Sequence, residues 1–154
     1  LQQPVTSQSN AATGKIVDIP VCYEPEHGPD LSYVAEHTGH TIEQVIQAHS
    51  QPEYFVHMLG FSPGFLYLGG LAAELACPRK STPALSLPAG SVAMGGAQTG
   101  IYPHSSPGGW HVIGRTPLKV FDIHRDEPCI AQPLERIKFN PISADEFKNM
   151  AELS

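Results

Sequence analysis

The spacing of proline and glycine is the feature that most constrains the fold of this chain. The sequence has 15 prolines and 14 glycines, and they concentrate between residues 60 and 117. So many helix breakers exclude long helices there. Between them lie short segments typical of strands: "EYFVHMLG", "FLYLGG", "LACP", "SLPAGSVAMGG", "GWHVIG", "LKVFDI" and "RIKFNPI". Regular short strands closed by turn residues predict a mainly β fold, a sandwich or a barrel.

A few helices are expected outside this zone. The segment "KIVDIPVCY" (15–23) has the alternation of a strand, and Asp30 is placed to cap a short helix after it. The segment "TIEQ" (41–44) is a capping box that opens a second helix. Ser143, with Glu146 three residues later, is another capping box and predicts a terminal helix.

Composition excludes several classes of protein. A chain of 154 residues with 41% hydrophobic and 16% charged residues fits one globular domain. A net charge of −6 argues against a nucleic-acid partner or an anionic membrane surface, and no apolar run reaches the roughly 18 residues of a membrane span. Three widely spaced cysteines indicate a reduced chain, so we expect a cytoplasmic protein.

Known catalytic and metal-binding motifs are not evident in the sequence. His37 and His40 form the one close histidine pair, and no cysteine lies near them at a zinc-site interval, so no metal site is expected. No G-x-S-x-G elbow is present, and neither Gly-rich stretch, "LPAGSV" (87–92) or "GGAQTG" (95–100), is a P-loop or dinucleotide fingerprint. These glycines could aim backbone N–H groups at an anion or carbonyl, or serve bulges and barrel corners.

Some polar and aromatic residues suit a small substrate. Arg79 could bind a carboxylate, Gln98 and Thr99 could hydrogen-bond an amide, and Tyr102 and Trp110 could form walls. Trp110, the one tryptophan, lies in "SPGGWHVIG" (106–114). Whether it contacts a ligand or packs in a core is open at this stage, because tryptophan does both.

Four segments, in this order and at these spacings, resemble a known family: "FVHMLGFSPGFLYLGGL", "CPRKSTP", "LPAGSVAMGGAQTGIYPHSSPGGWHVIGRTP" and "VFD". The family is known as allophanate hydrolase subunit 1, as KipI or as the B subunit of 5-oxoprolinase, and as subdomains C and D of a carboxyltransferase domain. The resemblance runs from about Ile16 to Ile142. It implies a cyclophilin-like β-barrel with a few short helices over residues 14–154, without the family's N-terminal α/β domain. Residues 1–13 are then expected to be a disordered linker or a cloning remnant.

The resemblance also implies an activity. It implies a subunit of a 5-oxoprolinase, which opens 5-oxoproline to glutamate at the expense of ATP. The partners would be a protein of the allophanate hydrolase subunit 2 type, the counterpart of the C subunit of 5-oxoprolinase, and a third protein. Without an ATP-binding motif, this domain is expected to bind no cofactor, to depend on ATP only at the level of the complex, and to be inactive alone. Two alternatives stay open: a KipI-like inhibitor of a sensor histidine kinase, and a carboxyltransferase component of a urea carboxylase-type enzyme.

Carried onto this sequence, the resemblance implies a pocket for a small amide substrate. Gln98, Arg79 and Ser91 are the predicted catalytic residues: Gln98 for the amide, Arg79 for a carboxylate, and the backbone amides at Ser91 for a carbonyl. The predicted substrate-binding residues are Phe61, Pro63, Gly64, Phe65, Pro88, Gly90, Thr99, Gly100, Tyr102, Ser106, Gly108, Gly109 and Trp110.

Overall fold

A computed structural model describes residues 15–60, 65–132 and 135–153. The described helices are α1 (Leu31–Thr38), α2 (Ile42–Ser50) and α3 (Ala144–Leu153), with one 3₁₀ turn at Ala73–Leu75. The described strands are β1 (Ile16–Cys22), β2 (Glu53–Gly60), β3 (Phe65–Gly69), β4 (Ala84–Leu87), β5 (Ser91–Gly95), β6 (Gln98–Ile101), β7 (Ser106–Gly108), β8 (His111–Arg115) and β9 (Arg136–Ile142).

Seven of these strands close into a barrel in the order β1-β8-β5-β6-β3-β2-β9. β1 and β9 are parallel, from Ile16 opposite Arg136 to Cys22 opposite Ile142, and the other neighbours in the barrel are antiparallel. β4 and β7 form a separate antiparallel pair, which we call the β4–β7 ribbon. The prediction of a mainly β barrel with a few short helices is confirmed. No helix in the described ranges is long and apolar enough to cross a membrane.

Local capping signals position two of the helices as predicted. Thr41 Oγ1 accepts the Gln44 backbone N–H, and the Gln44 side chain accepts the Thr41 N–H in return. Ser143 and Glu146 exchange the same pair of bonds at the start of α3. Asp30 does precede α1, but the prediction that its side chain caps the helix is wrong. Its carboxylate instead accepts the Val112 N–H on β8, at 2.9 Å.

The predicted strand over residues 118–123 is also wrong. Within that segment the structure has only an isolated bridge, between Phe121 and Cys129. The guanidinium of Arg125 donates hydrogen bonds to the carbonyl oxygens of Lys119, Val120 and Pro128. The Val120 and Pro128 carbonyls also accept the backbone N–H groups of Ile130 and Asp122, so residues 119–130 fold back on themselves as a loop around Arg125.

The barrel strands are buried on both faces where β3, β5, β6 and β8 run together. On β3, Leu66 and Leu68 belong to a cluster that takes residues from all seven barrel strands and therefore fills the interior. Phe65 and Tyr67 alternate with them and join a second cluster. That second cluster lies on the outer face of the barrel, because successive side chains of a strand point to opposite faces. It also includes Leu87 of β4, so the β4–β7 ribbon packs over it.

Candidate functional site

The outer cluster is organised around Trp110. Its indole lies against the backbone of Gly95, where a Cβ atom would overlap the ring. Phe65 and Tyr67 meet it edge to face, with ring centroids 5.9 Å away in each case. A Cβ on Gly100 would stand only 3.2 Å from Trp110 Cζ3. The glycines of β5 and β6 thus provide a flat surface on which one large ring can lie.

A cavity of about 400 Å³ opens above these rings, and we call it the aromatic cavity. The volume lies within the usual range for small-molecule sites. Its described lining combines four aromatic side chains, two cationic side chains, and prolines and glycines in the β4–β7 ribbon or next to it. The residues are Phe65, Tyr67, Tyr102, Trp110, Arg79, Lys80, Pro83, Pro107, Gly108 and Gly109. This described lining contains no carboxylate, imidazole, thiol or aliphatic hydroxyl.

Tyr102 joins the floor of the cavity to the ribbon. Its ring meets Phe65 edge to face at 4.8 Å, and its hydroxyl lies against Gly108, where any Cβ would overlap it. Burial raises the pKa of Tyr102, and a backbone hydrogen bond from Trp110 and the charge of Arg79 oppose that rise only in part. The phenol is therefore neutral at physiological pH and can donate a proton to a hydrogen bond without losing it.

Arg79 supplies positive charge at the cavity. Its guanidinium carbon lies 6.0 Å from the centroid of the Trp110 ring, at the outer limit of a cation–π contact. The side chain is exposed, and no carboxylate of the described residues forms an ion pair with it. An unpaired guanidinium above an aromatic floor is suited to bind a planar anionic group such as a carboxylate.

The segment that carries Arg79 is fixed on both sides. Before it, Cys77 exchanges both backbone hydrogen bonds with Gly96, at 3.0 and 2.7 Å. After it, the Lys80 N–H donates to the Gly109 carbonyl at 2.7 Å, and Lys80 Nζ lies 3.4 Å from both carboxylate oxygens of Asp30. These contacts hold the backbone of Arg79 in place while its side chain stays free to bind.

Six of the predicted site residues line the aromatic cavity: Phe65, Arg79, Tyr102, Gly108, Gly109 and Trp110. Three others lie beside it without lining it. Gly100 lies beneath the indole, and Gln98 pairs with Gly95 and so shares the outer face of the barrel. Ser106 pairs with Leu87 in the β4–β7 ribbon. Their substrate contacts stay predictions.

Thr99 lies on the opposite face of β6, inside the barrel. It is fully buried, its hydroxyl donates to the Ala93 carbonyl at 2.8 Å, and His49 Nε2 lies 3.0 Å from the same oxygen. Because the hydroxyl proton of Thr99 is used for the Ala93 carbonyl, its oxygen accepts the hydrogen bond from His49 Nε2–H. His49 Nδ1 in turn lies 2.7 Å from the Tyr23 hydroxyl, which donates to it. Thr99 is committed to this interior network and does not reach the aromatic cavity.

Burial fixes the protonation state of that network. Desolvation lowers the pKa of His49 from 6.5 to about 3, so the imidazole is neutral at physiological pH. The ring also stacks on Phe139, with centroids 4.7 Å apart. A neutral histidine with both nitrogens paired is a structural element of the core rather than an acid or base for catalysis.

The predicted residues around Ser91 form a turn, away from the aromatic cavity. Ser91 is buried, and its hydroxyl donates to the Pro88 carbonyl at 2.6 Å. Gly90 has φ +87°, and a Cβ there would lie 2.5 Å from the Thr116 carbonyl oxygen. The Gly90 and Ser91 N–H groups donate to the carbonyls of Tyr102 and Pro88. These amides are used within the fold, so they are not available here to orient a substrate carbonyl.

Phe61, Pro63 and Gly64 lie outside the described residues, so the structure does not place these three predicted residues. Other lining residues were missed by the sequence reasoning: Tyr67, Lys80, Pro83 and Pro107. Strand alternation from Phe65 could have found Tyr67, two residues further along the same strand. Lys80 and Pro83, just before β4, and Pro107 in β7 carried no such signal, because no local sequence pattern encodes the pairing of β4 with β7.

Metal chemistry has no support in the part of the chain that the structure describes. There, no three side chains of His, Cys, Asp or Glu come together as a metal site would require. Cys22, Cys77 and Cys129 are all free thiols. Burial raises the pKa of the Cys22 and Cys77 thiols, which keeps them protonated and unreactive.

Comparison with known proteins assigns the family. The family model described as "Carboxyltransferase domain, subdomain C and D" matches residues 1–131. The chain belongs to this family. The resemblance of the sequence segments is thereby confirmed.

Curated members of the family carry a more specific name. The chain is 48% identical over 140 residues to the B subunit of 5-oxoprolinase from Bacillus subtilis, covering 91% of this chain and 58% of that protein. It is 52% identical over 126 residues to the B subunit of 5-oxoprolinase from Haemophilus influenzae, covering 82% of this chain and 59% of that one. The chain thus spans about three fifths of the length of these relatives. Among solved structures, the conserved uncharacterized protein PH0987 from Pyrococcus horikoshii superposes with a TM-score of 0.85 at 47% identity, over 90% of this chain and 64% of that one.

Proposed function

We propose that this chain is part of the B subunit of a 5-oxoprolinase, an ATP-dependent hydrolase that opens 5-oxoproline to glutamate. The observation that carries the proposal is the unpaired guanidinium of Arg79 over the floor of the aromatic cavity. 5-Oxoproline is a small lactam ring with one carboxylate. Its carboxylate matches the charge of Arg79, and its ring matches the aromatic surface of the cavity. Relatives at 48% and 52% identity bear the name of this subunit.

In this proposal Arg79 binds the substrate carboxylate and the aromatic cavity holds the ring. A bidentate guanidinium–carboxylate contact fixes the orientation as well as the position of the substrate. The neutral Tyr102 phenol and the Trp110 indole pack against the ring faces and edges, where they exclude water. The chain then acts by positioning its substrate, which lowers the entropic cost of the reaction.

The remaining chemistry is assigned to partner proteins. Lactam opening needs an activated carbonyl and an attacking water, and the described lining offers no carboxylate or imidazole to act as a general base. We therefore assign ATP binding and the acid–base groups to a protein of the allophanate hydrolase subunit 2 type and to a third protein. The isolated chain is expected to be inactive, and a cytoplasmic location, where ATP is available, fits this activity.

The test is a reconstituted complex assayed for ATP hydrolysis that depends on 5-oxoproline. Arg79→Gln removes the charge and is expected to raise KM for 5-oxoproline by on the order of tenfold to a hundredfold, since hydrogen bonds to charged groups contribute about 1.5–3 kcal/mol. Arg115→Gln is the matched control. Arg115 donates to the Ala89 carbonyl and lies over Phe147, outside the cavity lining, so KM should not change.

Equal KM values for Arg79→Gln and the unmodified complex would refute the carboxylate assignment. Urea and allophanate are tested in the same assay. Turnover of urea in place of 5-oxoproline would favour the carboxyltransferase alternative. A fully assembled complex with no activity on any of the three would contradict the enzymatic proposal and favour a regulatory role such as kinase inhibition.

A further inference from the structure

A second cavity, of about 390 Å³, adjoins the aromatic cavity and shares Arg79 and Lys80 with it. We call it the polar cavity. Its other walls are formed by Tyr33 of α1, His111 of β8 and the hydroxyl residues Ser81 and Thr82. The function proposed above does not use these groups.

The polar cavity carries surplus positive charge in a chain whose net charge is −6. Asp30 also lines it, but its carboxylate is balanced by Lys80, with Nζ 3.4 Å from both oxygens. Asp30 Oδ2 also accepts the Val112 N–H. With that pair neutral, Arg79 leaves one unbalanced positive charge. Such a cavity favours an anion over a neutral or cationic ligand.

The hydroxyl groups of Ser81 and Thr82 line the same cavity as the Arg79 guanidinium. Within the described residues, neither Ser81 nor Thr82 forms a hydrogen bond through its side chain. Together with the guanidinium of Arg79 they place several hydrogen-bond donors in the lining of one cavity. This is the donor set that oxyanions such as phosphate and sulfate accept.

His111 distinguishes phosphate from sulfate, because its ring offers an acceptor that needs a donor on the ligand. Its residue surface is only 4% exposed, and Nε2 lies 3.0 Å from the Pro78 carbonyl oxygen. Because a carbonyl only accepts, Nε2 carries the proton, and Nδ1 of the neutral ring is an acceptor. Nδ1 is buried and has no partner among the described residues. Burial lowers the pKa of His111, which keeps the ring neutral.

The Tyr33 ring covers one face of that imidazole, and Nδ1 is buried in this structure. It stacks on the face of His111, with centroids 4.6 Å apart and planes 17° from parallel, while Nδ1 lies on the ring edge. Tyr33 is itself 46% exposed, so its ring can shift when a ligand enters. A donor on a ligand in the polar cavity reaches Nδ1 once the Tyr33 ring has shifted.

We propose that the polar cavity binds a protonated oxyanion of the phosphate class, with its negative oxygens on Arg79 and the Ser81 and Thr82 hydroxyls and its O–H donating to His111 Nδ1. At neutral pH phosphate carries at least one proton, so it offers both negative oxygens for the donors and an O–H for the acceptor. Sulfate has the same shape but carries no proton, so it leaves Nδ1 unpaired. The inference stands on these contacts alone and does not depend on the 5-oxoprolinase proposal.

The experiment titrates the chain at pH 7 with inorganic phosphate and, in parallel, with sulfate, by calorimetry and by NMR of histidine ring nitrogens. Phosphate is expected to bind about tenfold more tightly than sulfate, the usual consequence of leaving one buried acceptor unpaired. The Nδ1 resonance of His111 should move upfield with phosphate only. A parallel titration with ADP separates free phosphate from the terminal phosphate of a nucleotide; tighter binding of ADP than phosphate identifies the nucleotide as the source.

Two sets of variants test the roles of the side chains. His111→Phe keeps a ring for the stacking with Tyr33 but removes the Nδ1 acceptor, so the preference for phosphate over sulfate should disappear. The double variant Ser81→Ala and Thr82→Val should weaken both anions and keep the preference, and Ser86→Ala is its control outside the cavity. Equal affinity for phosphate and sulfate in the unmodified chain, no binding of either, or an unmoved Nδ1 resonance would each overturn the proposal, whether or not the His111 variant folds.

Discussion

The buried His49 predicts that this fold loses stability as the pH falls below neutrality. The imidazole has a pKa of about 3 in the folded chain and an ordinary value of 6.5 when exposed. Between these two values the unfolded chain binds a proton that the folded chain does not. The free energy of unfolding therefore falls with decreasing pH, by about 1.36 kcal/mol for each pH unit.

The size of this effect follows from the two pKa values. Between pH 7 and pH 4.5 the loss amounts to about 2–3 kcal/mol from this one residue, because the unfolded form becomes almost fully protonated below 6.5. A native state of ordinary stability, about 5–15 kcal/mol, would lose a considerable share of it. Well above 6.5 the contribution of His49 is complete and no longer depends on pH.

The assay is urea denaturation at several pH values for the unmodified chain and for His49→Gln. Glutamine can accept from the Tyr23 hydroxyl through Oε1 and donate to Thr99 through Nε2, and it does not titrate. Carboxylates and other histidines titrate equally in both proteins, so their effects cancel in the difference. His49→Gln should be less stable at pH 7, since it loses the stacking on Phe139, but should lose about 2–3 kcal/mol less between pH 7 and pH 4.5.

Parallel stability curves for the two proteins over this range would refute the reasoning. They would show that His49 is either solvated or already protonated in the folded chain. In that case the assignment of His49 as a neutral, structural element of the core would have to be withdrawn.

Two glycine substitutions test how the aromatic cavity is built. Gly95→Ala introduces a Cβ that overlaps the Trp110 indole, so we expect a loss of about 1–3 kcal/mol and a red shift in the fluorescence of this single tryptophan; an unchanged spectrum would contradict the packing. Gly108→Ala should displace the Tyr102 ring and destabilise the chain by a similar amount, measured by thermal unfolding. Gly109→Ala is the matched control, since a Cβ there would meet nothing closer than 3.8 Å; equal losses at both positions would contradict the assignment.

Local signals in the sequence were sufficient for part of this structure. The capping boxes at Thr41 and Ser143 involve groups three residues apart, so the pattern and the bonds coincide. Contacts between distant segments had no such signal. Asp30 was predicted to cap a helix because a capping residue is recognised by its type and position alone, yet its carboxylate bonds to Val112, 82 residues away. The loop around Arg125 likewise replaced a predicted strand, and hydrogen bonds from a guanidinium outside the strand pattern to the Lys119 and Pro128 carbonyls hold it together.

The site was predicted less completely than the fold, and the reason lies in the geometry of β6. Gln98, Thr99 and Gly100 were assigned to one pocket from the chemistry of their residue types and from the family resemblance. In a strand, adjacent residues point to opposite faces, and here both faces are buried, so hydrophobic alternation did not reveal which face belonged to the barrel interior. The structure separates them: Gly100 lies beneath Trp110, whereas Thr99 bonds to His49.

This division between the two faces also limits what the chain can do chemically. On β3, the residues that line the aromatic cavity, Phe65 and Tyr67, alternate with Leu66 and Leu68, which fill the interior. Barrel strands can therefore give the cavity only half of their side chains, and the barrel strands contribute Phe65 and Tyr67 to its described lining. Charged groups come from the segment that carries Arg79, outside the barrel ladder. An acid–base apparatus for lactam opening would have to approach from the open side of the cavity, which is the position a partner protein would occupy in the proposed complex.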